Sequence, residues 1–301
     1  MISISVKNIE KSYGNTLAVH NINFDVKNAE LFGLIGPDGA GKTTIFRILT
    51  SLIIADKGNA SLNGYDVVND YKKIRQIIGY MPGKFSLYQD LSVEENLNFF
   101  ATVFGTTLEE NYDLIKDIYV QIEPFKKRRA GKLSGGMKQK LALSCALIHK
   151  PDILILDEPT TGVDAVSRKE FWDMLKRLKE KGITILVSTP YMDEASLCDR
   201  VALIQKGNIM QIDSPENIVD SYKRELFALK AKNMHRLLHD LRKYSDTHSA
   251  YLFGQDIHYT SKTKKTNINE LEQYLQKNKH QNIKIKNIKA NIEDCFMELM
   301  T

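Results

Sequence analysis

Residues 36 to 46, GPDGAGKTTIF, set a glycine, four intervening residues and then Gly-Lys-Thr, directly after the apolar run LFGLI. That spacing suits a loop that holds phosphate. Gly36, Gly39 and Gly41 allow the backbone to close around an anion with its N–H groups inward, and the helix that follows adds partial positive charge. Lys42 is placed to reach β- and γ-phosphates, and the Thr43 hydroxyl to bind Mg²⁺. Pro37, Asp38, Ala40 and Thr44 complete the loop. A second stretch, ILILDEP, ends an apolar run in two acids. Asp157 suits the metal shell, and Glu158 can polarise a water for in-line attack on a terminal phosphate. A third, LSGGMKQK at 133 to 140, opens a helix with Ser134, Gly135 and Gly136 and forms a second anion cradle. One nucleotide has no use for two cradles from one subunit, so the second is expected to serve a nucleotide held by another subunit.

The surrounding pattern supplies elements to position these groups. Ile2, Ile4 and Val6, then Ile22, Phe24 and Val26, alternate as in antiparallel strands with one buried face. LFGLI, DILILD and ITILVS are apolar throughout and read as strands buried on both faces. Ile45, Ile48, Leu49 and Leu52 keep helical spacing after the loop. Residues 88 to 150 read as helical: Ser92 and Glu95 box a helix ended by Gly105, Leu114, Ile115, Ile118 and Ile122 form a second, and Leu141, Cys145 and Ile148 share a face of a third stopped by Pro151. Ser167 and Glu170 are expected to cap a helix closed by Gly182, and VALIQKGNIMQID to form a closing hairpin. Buried strands alternating with helices imply an α/β fold with a parallel sheet.

Beyond about residue 218 the order becomes strand, helix, hairpin, helix, strand and a last helix capped by Asn291, a small α+β domain of ferredoxin-like order. The division is expected at 1–218 and 219–301. The charge supports it: from Asp220 onward there are fifteen Lys and Arg against ten Asp and Glu, whereas the remainder is balanced. That surplus reads as a solvated lysine-rich face rather than a membrane anchor. With 301 residues, 43% hydrophobic and 26% charged, the composition is that of a globular protein of two domains. No apolar run nears the roughly 20 residues that span a bilayer, and the N-terminus lacks a signal-like stretch, so a cytosolic address is expected. Cys145, Cys198 and Cys295 lie far apart without metal-ligand spacing. His235 and His239 have the spacing of a zinc pair, but Arg236 stands where that motif needs a glutamate, and they read as surface residues. KKRR at 126–129 reads as a solvated loop, and no nucleic-acid partner is expected.

Taken together and in this order, the three motifs resemble those of ABC transporter ATP-binding subunits. Walker A is 36–44, the signature 133–137, Walker B 153–158 and the D-loop TTGVD ends at Asp164. The resemblance covers residues 1 to about 218. It implies a P-loop core with an antiparallel β subdomain and a helical subdomain that docks on a membrane permease. It also implies ATP and Mg²⁺ as ligands, a head-to-tail dimer with a second ABC chain, like or unlike, and an address on the cytoplasmic face through the permease. Tyr13 matches the aromatic residue that stacks on adenine. The tail resembles the accessory domain of drug- and polysaccharide-type export ATPases.

Two positions depart from that family. Its glutamine after the strand IGYMP is Gly83 here, and its histidine after the third core strand is Pro190. Proline offers neither a side-chain donor nor a backbone N–H. The chain therefore reads as the motor subunit of an exporter. The alternative is a catalytically weak ATP-binding subunit paired with a different, active chain. A soluble ABC protein acting on DNA or ribosomes fits less well, because such proteins fuse two cassettes or carry long insertions.

Overall fold

The computed structural model describes residues 1–263 and 266–300, and these divide into two compact units, 1–215 and 216–301. The first unit starts with β1 (Ile2–Tyr13) and β2 (Thr16–Lys27), a ribbon turned at Gly14 and Asn15. β3 (Leu31–Ile35) leads through the glycine-rich loop into α1 (Lys42–Leu49). β4 (Lys57–Leu62), β5 (Tyr65–Asp66), α2 (Tyr71–Ile77) and β6 (Ile78–Met81) follow. Next come α3 (Val93–Val103), α4 (Tyr112–Tyr119) and α5 (Gly135–Leu147), then β7 (Ile153–Asp157), α6 (Ala165–Glu180), β8 (Thr184–Thr189), β9 (Arg200–Gln205) and β10 (Asn208–Asp213).

A six-stranded sheet in the order β10-β9-β3-β8-β7-β6 is parallel except for β10, which closes it as a hairpin on β9. Every residue of β3, β7 and β8 is buried, as the unbroken apolar runs require. A second sheet, β2-β1-β4-β5, is antiparallel. Its last two strands form a hairpin turned at Asn63-Gly64, a dipeptide whose positive φ angles suit a two-residue turn. Ile4, Val6, Val19, Phe24 and Val26 pack with Phe46 and Ile48 of α1, fixing the ribbon against the loop helix.

Several expected boundaries shift. Ile2 is exposed because a bulge between Ile2 and Ile4 breaks the alternation. Leu52 lies beyond α1 and is exposed, since the chain leaves the helix after Leu49. Ile122 is buried but follows the end of α4. α6 is capped not by Ser167 but by Asp164, whose carboxylate accepts from the Val166 and Ser167 N–H groups at 3.1 and 3.0 Å. Those backbone bonds to Ser167, the largest contribution, hold the Asp164 carboxyl below its ordinary value. The Ser92–Glu95 box on α3 forms in both directions.

The second unit opens with α7 (Pro215–Asp220) and runs β11 (Leu226–Lys230), α8 (Met234–Lys243), β12 (Thr247–Phe253), β13 (Asp256–Ser261), α9 (Ile268–Lys277), β14 (Lys284–Ile288) and α10 (Ile292–Met300). Its antiparallel sheet has the order β12-β13-β11-β14. Leu237 and Leu241 of α8 and Leu271 and Leu275 of α9 pack on Phe227, Leu229, Ile257 and Tyr259. α10 is tied to the sheet by a buried carboxylate. Asp294 accepts from the Tyr251 hydroxyl at 2.5 Å and from the Asn291 N–H at 2.8 Å, and lies 2.6 Å from His258 Nδ1. Burial acts to raise the Asp294 pKa, but bonds from His258, Tyr251 and Asn291 outweigh it and hold the carboxyl below its ordinary value.

A depressed folded-state pKa adds stability that is present above the ordinary value of 3.8 and is lost as the pH falls through the lower folded value. Asp294→Ala should cost this unit about 3 kcal/mol, because His258 and Tyr251 lose a buried partner. Hydrogen exchange of the β12 and β13 amides reads this locally, and the excess protection over the variant should vanish in acid. Equal protection at neutral pH would show that the Asp294 contacts add nothing.

Candidate nucleotide-binding site

The loop is held from three sides. The Gly36 N–H donates to Thr189 O at the end of β8 at 3.2 Å, and the Gly207 N–H of the β9–β10 turn donates to Ala40 O at 3.0 Å. A Cβ on Gly36 would lie 2.1 Å from Ile204 O, and one on Gly41 2.7 Å from Ala18 O. Gly36 and Gly41 are therefore demanded by neighbouring strands. Gly39, at φ 77°, faces open space and is needed for its left-handed backbone. Lys42 is 3% exposed. Its ammonium donates to Gly36 O at 2.7 Å and Pro37 O at 3.0 Å, and pairs with Glu158 Oε1 at 3.1 Å. No side chain caps α1, whose N-cap is Gly41, so first-turn N–H groups remain for an anion. Asp38 is exposed on the loop and Pro37 half-buried. Tyr13 ends β1 beside a hairpin turn and is 46% exposed.

Asp157 ends β7 and is buried, and Glu158 follows with φ 49°. The donor set suits Mg²⁺. Among the described residues, the hydroxyl of Thr43 makes no protein hydrogen bond and the Asp157 carboxylate receives one, at Oδ1. A hard cation with phosphate and water oxygens would accept both groups. A Cβ on Gly83 would stand 3.1 Å from Asp157 O and 3.8 Å from its Cγ, so position 83 abuts the acid. Burial first, and then the Asp157 charge, push the Tyr80 hydroxyl up to about 12, leaving it a neutral donor nearby.

Ser134 is the N-cap of α5, its hydroxyl accepting from the Met137 N–H at 3.3 Å. Ser134 and Gly135 are exposed. Gly136 packs close to α6, since a Cβ there would lie 2.7 Å from Ser167 Oγ and would have to displace that hydroxyl. The signature helix thus rests on the segment that Asp164 caps. Among the described residues no hydrogen bond joins residues 134–136 to the loop 36–44.

Pro190 follows Thr189, whose carbonyl already accepts from Gly36, so position 190 stands at the start of the loop. The Thr189 hydroxyl is turned away. It donates to Glu194 at 2.5 Å and accepts from the Tyr191 N–H at 3.1 Å. Glu194 also accepts from Thr160 at 2.9 Å and lies 3.8 Å from Arg168 Nε. Sequence reasoning did not single out Ser188 or Glu194. The signal was two adjacent hydroxyls, Ser188 and Thr189, at the end of a largely apolar strand. His235 and His239 sit on α8, and no metal-binding cluster of His, Cys, Asp and Glu occurs among the described residues.

A phosphate loop on a parallel sheet, an Asp-Glu pair at the end of β7, two strands away across β8, and a separate exposed glycine-rich helix start define an ATP-binding cassette. The chain belongs to the ABC transporter family, as one of its ATP-binding cassettes, the ATPases of that family. The family model for ABC transporters matches residues 19–161. The chain is 41% identical over 217 residues to the probable multidrug ABC transporter ATP-binding protein YbhF of Escherichia coli, covering 71% of this chain but 38% of that relative. It is 39% identical over 221 residues to Nod factor export ATP-binding protein I of Burkholderia lata, covering 72% and 73%. Among solved structures, an ATP-binding subunit of an ABC transporter superposes with a TM-score of 0.66 at 27% identity, over 72% of this chain and 92% of that one. A dimeric cassette, MJ0796, superposes at 0.64 with 26% identity, over 70% and 98%.

Proposed function

We propose that this chain is the ATP-binding and ATP-hydrolysing motor subunit of a membrane exporter, peripheral on the cytoplasmic face. It works with a separate permease and pairs with a second ABC ATP-binding chain, like or unlike. The observation that carries this reading is the separation of the two cradles. One chain presents a complete loop with Lys42 and Glu158 in contact, and independently an exposed helix start at Ser134 and Gly135. Two such chains, head to tail, close two sites.

In each site Lys42 exchanges Glu158 for the γ-phosphate, which frees the Glu158 carboxylate to accept a proton from the attacking water. Gly36, Gly39 and Gly41 turn backbone N–H groups to the phosphates, Pro37, Asp38, Ala40 and Thr44 shape the loop, and Tyr13 stacks on adenine. Thr43 and Asp157 would hold Mg²⁺, which would supply positive charge to offset that of the phosphates. The signature residues and Asp164 act on the nucleotide of the opposite chain. Export is supported by relatives named for multidrug transport, Nod factor export and linearmycin resistance.

A groove of about 450 Å³ runs along Tyr80, Phe85, Leu87, Phe100, Phe104 and His149 and suits an apolar segment of the permease. No helix among the described residues is long and apolar enough to cross a membrane. Expressed alone, the protein should stay in the supernatant after ultracentrifugation, and with its permease it should move to the membrane fraction. Salt-reversible pelleting with permease-free vesicles would instead make the basic tail the anchor.

Gly83 and Pro190 favour a second reading, in which this chain's own site turns over slowly and the partner chain's site does most of the work.

A further inference from the structure

We propose that the Ser188 hydroxyl is a positioning residue for the metal site, a role that rests on Asp157 holding Mg²⁺. Ser188 lies on β8 and is fully buried. Its Oγ donates to Asp157 Oδ1 at 2.7 Å and accepts from the Glu158 N–H at 3.0 Å. Among the described residues that is the one side-chain hydrogen bond to Asp157. One hydroxyl thus fixes both acids of the site, the carboxylate of the first and the backbone of the second.

Both acids need such a restraint. A buried carboxylate with one oxygen anchored presents the other in a fixed direction, whereas an unanchored one turns about its Cβ–Cγ bond. Partners of this kind orient metal ligands and matter nearly as much as the ligands themselves. Glu158 sits at φ 49°, a conformation that non-glycine residues adopt only where their surroundings impose it. Its N–H is shared between Ser188 Oγ at 3.0 Å and Ser188 O at 3.1 Å. The backbone bond survives removal of the hydroxyl, so Ser188→Ala keeps the β7–β8 register. With glycine at 83, no side chain from that position shares the task.

The neighbouring Thr189 makes a separate clamp. Its hydroxyl holds Glu194, which holds Thr160, without touching Asp157. Thr189→Val therefore serves as a control for damage to the end of β8.

The test uses the full chain, AMP-PNP as nucleotide and Mn²⁺ as probe, with bound Mn²⁺ read from the loss of the free-ion EPR signal. Ser188→Ala should weaken Mn²⁺ binding to the nucleotide-loaded protein on the order of 10-fold. Its affinity for AMP-PNP in EDTA should stay within about twofold, because the loop contacts are intact. Ser188→Thr, which keeps the hydroxyl, should restore Mn²⁺ binding, and Thr189→Val should lower the melting temperature but leave Mn²⁺ binding unchanged. If Ser188→Ala does not fold, Ser188→Cys, with similar shape and a weaker donor, carries the same comparison. The proposal fails if Ser188→Ala binds Mn²⁺ as wild type does while Asp157→Asn does not. If Asp157→Asn also binds Mn²⁺ normally, the metal assignment itself fails and this inference falls with it.

Discussion

On the second reading, with this chain's own site slow, Ser134→Arg in this chain should abolish most of the steady-state ATPase activity of the purified transporter, while Glu158→Gln in the same chain should leave most of it. The asymmetry follows from where each residue acts. Ser134 caps an exposed helix start, which in the proposed dimer serves the opposite nucleotide. Arginine there removes the capping oxygen and sets a bulky cation at the positive end of the helix. On that second reading Glu158 serves this chain's own site, where Gly83 and Pro190 stand in place of the family's glutamine and histidine. Loss of one preorganised transition-state donor typically slows an enzyme about 100- to 1,000-fold. If the second chain is a standard cassette, the complex has one slow and one working site.

The measurement is phosphate release from the complex carrying each change. Ordinary rates from this chain alone, lost with Glu158→Gln, would show a competent site and remove the case for unlike chains. Pro190→His tests the same idea from the other side and should raise the rate where the loop places the ring correctly. Gly83→Gln is the harder repair, because its Cβ meets Asp157 O at 3.1 Å and the neighbour must yield a few tenths of an ångström.

Lys42→Ala should weaken Mg-ATP binding by at least about an order of magnitude, the scale expected for loss of a charge-assisted bond. The ammonium is buried among two loop carbonyls and Glu158. Without it those carbonyls and the carboxylate face the incoming phosphates unopposed, so repulsion adds to lost attraction. Calorimetry of ATP binding to the purified chain reads the effect directly. Unchanged affinity would remove residues 36–44 from the nucleotide site.

Much of this was legible from spacing alone. A glycine-rich loop between a fully apolar strand and a helix admits few structures, because the chain must turn tightly and leave backbone N–H groups unpaired. The runs LFGLI, ILILD and TILVST cannot tolerate a solvated face, so they had to be central strands of a layered fold. Local chemistry also fixed the capping box on α3. The hairpin of β4 and β5 is absent from the sequence reading, because β5, with two residues, is too short to show a period.

Only the tertiary structure decided which partner each group meets. The cap of α6 is Asp164 rather than Ser167 because the chain turns helical at Ala165, which leaves Ser167 inside the first turn with its N–H donated to the Asp164 carboxylate. Gly36 and Gly41 are constrained by carbonyls of β9 and β2, distant in sequence. Ser188 is one of three hydroxyl residues on β8, and its sequence context does not show which group it meets. It bonds Asp157 because parallel pairing sets those two residues side by side. Sequence determines the local conformations and the chemical inventory. Register between strands determines which members of that inventory touch, since it depends on the packing of the whole core rather than on any window of the chain.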